Sequence, residues 1–198
     1  SVGDANSMGD GIANNDYVTT ANISGVTSLN VNNLNIADLT GIEDFNSITT
    51  LNCYYNNLSS INVSQNTNLN QLWCNNNQLT SLDVSQNTQL TSFVCRFNQL
   101  SSLDVSNNTA LTSLDCNNNQ LTSLDVSQNT ALTYLSCWNN QLASLDLRNG
   151  NNTNFTGFEG YGNSNLNCIS VDDATWATAN WTDIDSHTSF SNNCNNTI

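Results

Sequence analysis

Cys53, Cys74, Cys95, Cys116 and Cys137 stand 21 residues apart, and each occupies the same place in a Leu-x-x-Leu-x-Cys-x-x-Asn frame, with Ile48 and Phe93 standing for Leu in two of them, as in Leu111-Thr-Ser-Leu114-Asp-Cys116-Asn-Asn-Asn119. A fixed period in the range of about 20 to 50 residues marks a solenoid, because one such unit cannot bury its own apolar face and must stack on its neighbours. The chain is therefore expected to form one continuous array with a single core, whatever its length suggests about domain number.

Each unit divides into two similar halves. In Leu90-Thr-Ser-Phe93-Val-Cys95-Arg-Phe-Asn98-Gln and Leu100-Ser-Ser-Leu103-Asp-Val105-Ser-Asn-Asn108-Thr-Ala the spacing of apolar residues and Asn is the same. The alternation around Leu or Phe and then Cys or Val has period two, which points those side chains inward and their neighbours outward, as in a strand. Each coil is thus expected to carry two short strands, stacked at about 4.8 Å per coil into two parallel sheets. Seven coils at that spacing make a rod about 35 Å long. The two sides differ little in width, so the expectation is a nearly straight rod.

These frames resemble the leucine-rich repeat family and its nested 21-residue class, with Cys in place of the third Leu of the hallmark Leu-x-x-Leu-x-Leu-x-x-Asn. The resemblance covers about residues 26 to 171. It implies a right-handed, all-β-dominated coil and, in function, protein binding and adhesion. The wording Leu-Thr-Ser-Leu-Asp-Val-Ser-Gln-Asn-Thr is similar to secreted repeat proteins of flavobacteria and related bacteria, which implies secretion or a place on the bacterial cell surface.

The register breaks at both ends. Residues 26 to 47 form a longer unit, and Phe155-x-x-Phe158-x-Gly160-x-x-Asn163 keeps the strand frame with Gly where Cys belongs. Terminal repeats must seal an exposed core, so residues 1 to 25 and 172 to 198 are expected as caps around a solenoid of residues 26 to 171. A short helix is expected near Asp172 to Trp181. The Asn rows, Asn56, Asn77, Asn98, Asn119 and Asn140 in one half and Asn66, Asn87, Asn108 and Asn129 in the other, are suited to satisfy turning backbone at the corners.

Charge excludes two classes of partner. Two Arg, no Lys and 16 acidic residues give a formal net charge of −14. Without a basic patch the chain is repelled by nucleic acid and by anionic membrane. No apolar run is long enough for a membrane span, and the first residues lack the pattern of a signal peptide, so a soluble, processed chain is expected.

The ladder cysteines face inward and read as small core hydrophobes with reduced thiols. Cys168 and Cys194 stand outside the ladder and are expected to pair as a cap disulfide in an oxidising compartment. No catalytic residues are expected, since His187 is the only histidine and lies in no Cys-His or Ser-His-Asp frame. Asp4-Ala-Asn6-Ser-Met-Gly9-Asp10-Gly11 departs from a calcium loop at Met8 and lacks the closing acid, so it reads as a cap turn. Neither metal nor cofactor is expected. The like-charged row Asp83, Asp104, Asp125 and Asp146 reads as a solvated face eased by hydroxyls of Ser81, Ser102, Ser123 and Ser144.

Comparing the coils with one another separates the two faces. The second half of each coil repeats Ser-Leu-Asp almost without change, whereas the outward positions of the first half vary and hold most of the aromatic residues outside the core. Exposed Trp, Tyr and Arg are enriched at binding hot spots. The expected ligand contacts are Tyr54, Tyr55, Trp73, Arg96, Phe97, Asp115, Tyr134 and Trp138, with Trp73, Arg96 and Phe97 in one cluster and Trp138 apart from it. This reading gives a monomeric, non-enzymatic recognition module for an extracellular protein or polysaccharide. The alternative is an ice-binding rod using its Ser and Thr rows, including Thr67, Thr88, Thr109 and Thr130; the charged Asp row counts against it.

Overall fold

The computed structural model describes residues 20 to 194. The candidate turn Asp4–Gly11 and most of residues 1 to 25, expected as an amino-terminal cap, lie outside them. After a single helical turn, α1 (Thr20–Ile23), the chain winds through short parallel strands. One sheet has seven: β1 (Ser28–Asn30), β2 (Thr50–Asn52), β3 (Gln71–Trp73), β4 (Ser92–Val94), β5 (Ser113–Asp115), β7 (Tyr134–Ser136) and β9 (Gly157–Glu159), in that spatial order. The other sheet has four, β6 (Ser123–Asp125), β8 (Ser144–Asp146), β10 (Cys168–Ser170) and β11 (Ser189–Ser191). Register follows the repeat: Leu51 pairs with Leu72, Leu72 with Phe93, Phe93 with Leu114 and Leu114 with Leu135.

Between the sheets runs one core. Every ladder cysteine is fully buried, unpaired and in contact with the stacked Leu, Val and Ile rows. Burial pushes the thiols of Cys53 and Cys137 up to about 12, and those of Cys74, Cys95 and Cys116 well above the ordinary thiol range, so none is a nucleophile at neutral pH.

The two Asn rows perform different amounts of bonding. Asn98 is typical of the first: its Nδ2 donates to the carbonyls of Cys74 (3.1 Å) and Cys95 (2.9 Å), and its Oδ1 accepts the N–H of Leu79 (3.0 Å). Asn108, in the second row, donates to Val84 and Asn87 carbonyls at 2.9 Å, but its buried Oδ1 has no protein partner, and the same holds for Asn66, Asn87 and Asn129.

The second half-coil departs from expectation. Ser81-Leu82-Asp83 and Ser102-Leu103-Asp104 form no strand, although the same tripeptide does so as β6 and β8. The difference is the neighbour. β8 pairs with β10, which is itself held by β11, so pairing spreads from the carboxyl-terminal end and stops at β6. The relief of the Asp row also differs from expectation, because each carboxylate accepts the N–H two residues on. Ser85, Ser106 and Ser127, at 2.8–2.9 Å, and Arg148, at 3.1 Å, are those donors, rather than the Ser row before the Asp.

At the carboxyl-terminal end Gly160 stands in the cysteine position because Phe158 has replaced Leu; a Cβ on Gly160 would lie 2.8 Å from the Phe158 ring. Beyond it α2 (Ala174–Asn180) is capped by Asp173, which accepts the N–H of Thr175 and Trp176. Trp181 packs on Phe155 and Phe158 to close the core. Cys168 and Cys194 are joined by a disulfide, as the sequence predicts.

Candidate binding face

Along the outer side of the seven-stranded sheet, three positions per coil flank the cysteine. The residue before it gives Asn52, Trp73, Val94, Asp115, Ser136 and Glu159. The residue after it gives Tyr54, Asn75, Arg96, Asn117, Trp138 and Tyr161, and the next gives Tyr55, Asn76, Phe97, Asn118, Asn139 and Gly162. Stacking one coil per strand lays these side chains into adjoining rows.

Two aromatic groups result, and their membership differs from the sequence expectation. Tyr54 and Tyr55 meet edge to face with centroids 5.5 Å apart, and with Trp73, Asn75, Val94 and Arg96 they line a shallow depression. Trp73 Nε1 donates to Ser92 Oγ at 3.4 Å. Phe97 belongs to the other group: its ring meets Trp138, two coils on, edge to face at 6.5 Å. Trp138 in turn stacks on Tyr161 at 5.3 Å with an interplanar angle of 9°. Phe97 and Tyr161 remain 44% and 41% exposed.

Asp115 does not stand out as expected. It is buried, accepts a hydrogen bond from Asn117 Nδ2, and pairs with Arg96 at 3.4 Å; Asn117 Nδ2 also donates to Ser136 Oγ. Arg96, Asn117 and Ser136 on this and the adjoining coils gather around the carboxylate and its amide partner. Burial pushes the Asp115 carboxyl above its ordinary range against the pull of Arg96. Tyr134, half-buried, donates its hydroxyl to Glu159 at 3.5 Å, and burial and that carboxylate raise the phenol. Tyr161 and Glu159 are members of this face that sequence comparison of the intact coils passes over. The Gly160 register assigns both their places.

The backbone adds a further observation. The position two after the cysteine has positive φ in coil after coil: Tyr55 52°, Asn76 56°, Phe97 52°, Asn118 52°, Asn139 50° and Gly162 72°. Asn and Gly are suited to this left-handed region, whereas a bulky aromatic there costs about 1 kcal/mol or more. Tyr55 and Phe97 carry that cost, and both are exposed.

The opposite sheet offers another surface. Its hollow is lined by Ser123, Asp125, Ser144, Asp146 and Arg148, without aromatic rings, and Arg148 is bonded to Asp146. Among the described residues no group of His, Cys, Asp and Glu side chains could hold a metal ion. No described helix is long and apolar enough to cross a membrane.

No family model matches the chain. Internalin J of Listeria monocytogenes is 46% identical over 52 residues, 26% of this chain and 6% of that protein. Among solved structures, an internalin, InlF, of Listeria monocytogenes matches with TM-score 0.65 and 22% identity, over 87% of this chain and 62% of that one. A leucine-rich-repeat protein of Leptospira interrogans matches with TM-score 0.63 and 21% identity, over 77% of this chain and 45% of that one. The chain thus spans less than two thirds of each of these proteins. The fold is a leucine-rich-repeat solenoid with parallel sheets.

Proposed function

We propose that this chain is a non-enzymatic recognition module, secreted or carried at a bacterial surface, which binds a protein through the outer side of its seven-stranded sheet. The observation that carries the reading is the pair Tyr55 and Phe97. Three equivalent coils place Asn at that left-handed position. Aromatic side chains there add nothing to the core and oppose the local backbone preference. Residues that contradict local structure while remaining exposed are expected at functional positions. Likeness to internalins supports recognition of a protein. The contacts proposed are Tyr54, Tyr55, Trp73, Arg96, Phe97, Tyr134, Trp138 and Tyr161, with Asp115 as the buried support that orients Arg96.

The test restores Asn. Tyr55→Asn and Phe97→Asn are expected to raise stability by about 1 kcal/mol each, seen as a higher denaturant midpoint. Wild-type protein and the double variant are then applied to arrays of extracellular proteins and of glycans. A protein bound by wild type and lost by at least about tenfold, or 1.4 kcal/mol, in a variant of undiminished stability supports the reading. Binding that survives these changes but is lost with Asp104→Asn would move the site to the other sheet, and hits confined to glycans would make the ligand a polysaccharide.

A further inference from the structure

We propose that the carboxyl-terminal end of this face docks a basic polypeptide segment, with Lys or Arg side chains set against Glu159 beside the rings of Tyr161 and Trp138. The inference rests on the seven-stranded sheet being the binding face and names the partner that it fits.

Of the chain's two cations, Arg96 is paired with Asp115 and Arg148 with Asp146. Among the described residues Glu159 has no cation within ion-pair reach; its partner is the neutral hydroxyl of Tyr134. The residues after α2 bring two more acidic residues to the same end of the sheet. The Asp183 carbonyl accepts the Gly160 N–H at 2.8 Å, which sets the Asp183 residue beside β9. Asp185 accepts the N–H groups of Gly162 (3.0 Å) and Asn163 (2.8 Å), which leaves its negative charge uncancelled.

Beside these carboxylates Tyr161 leaves ring surface open to solvent. A ring next to an uncompensated carboxylate suits a guanidinium or ammonium group, which the ring attracts through its π-face and the carboxylate through its charge. At a net charge of −14 the remainder of the molecule steers a cationic partner inward and repels anionic ones. An uncharged polysaccharide would use the rings but gain nothing from Glu159.

Fluorescence anisotropy with a labelled Arg-Gly repeat peptide, and with its Glu-Gly counterpart, tests this. The Arg peptide is expected to bind, more weakly as salt rises, and the Glu peptide not to bind. Glu159→Gln and Tyr161→Ala should each weaken the Arg peptide by about tenfold, while Asp104→Asn with Asp125→Asn on the other sheet leaves it unchanged. Thermal melts check that each variant is folded. Absence of binding, or equal loss from the Asp104 and Asp125 changes, overturns the proposal, the latter because general acidity then explains the attraction. If a ligand found with the arrays is lost in the Tyr55 and Phe97 variants but indifferent to Glu159→Gln, the basic partner falls and the binding face stands.

Discussion

The two sides of each coil are made from nearly the same sequence frame, yet they are built to different standards. The seven-stranded side pairs continuously from β1 to β9, and each Asn of its corner row makes hydrogen bonds through both ends of the amide. The other side pairs only from β6 onward, and its Asn row uses the amide nitrogen alone. The side that varies most from coil to coil is therefore the better bonded. Variation is affordable there because backbone and Asn, not the outward side chains, hold the register.

The largest test of this contrast lies at the cap. Replacing Cys168 and Cys194 by Ser opens a cross-link with a sequence separation of 26, worth about 3 to 4 kcal/mol in the chain-entropy model. Hydrogen exchange should then show protection lost from β10 and β11, and weakened in β8 and β6, while β2 to β5 keep theirs. Equal loss across both sheets would mean that the two sides are not independent.

A smaller effect separates the Asn rows. Asn98→Ala removes three hydrogen bonds and leaves the buried Leu79 N–H without its acceptor, while the Cys74 and Cys95 carbonyls keep Asn77 and Asn119, and it should cost about 2 to 3 kcal/mol. Asn108→Ala removes two hydrogen bonds but leaves no group unpaired, since the Val84 and Asn87 carbonyls keep the N–H groups of Asn87 and Leu90, and it should cost about 1 to 2 kcal/mol. Chemical denaturation of the two variants, read at constant m, ranks them. The reverse order would show that the unpaired Oδ1 row is stronger than its contacts imply.

The smallest effect is electrostatic, and its sign differs between the sheets. Burial raises the Asp115 carboxyl above 3.8, so its contribution to stability is complete below that value and is lost as pH rises through the folded-state titration. The backbone N–H of Ser106 lowers the Asp104 carboxyl, so its contribution is present above 3.8 and lost as pH falls through its own titration. Carboxyl carbon NMR should place Asp115 above 3.8 and Asp104 below it. Asp115→Asn should also gain on wild type as pH rises through the Asp115 titration.

What could be read from the residues was whatever the chain states several times over. Five equivalent cysteines place the core, five equivalent Asn residues place one corner, and two cysteines outside the period place the disulfide. Features carried by single coils were harder to read. Phe97 meets Trp138 from a turn of positive φ, a conformation that strand periodicity does not encode. Asp115 withdraws because Asn117 and Arg96 are placed to receive it, a matter of three adjacent rows and not of one position. The silent tripeptides at 81–83 and 102–104 are identical in sequence to those that pair, so no reading of local residues could tell them apart; the difference arrives from β10 and β11.

The first-row asparagines also give the molecule a direction in time. Asn77 completes the corner containing Leu58, Asn98 that of Leu79, and Asn119 that of Leu100, so every coil is finished by the one synthesised after it. During translation a newly emerged coil would therefore fasten its predecessor, leaving a single unfinished rung at the ribosome end. Asp185 ends the series by supplying to Gly162 and Asn163 the acceptors that a following coil would have brought. Whole coils could be gained or lost ahead of that terminator with no rung left open.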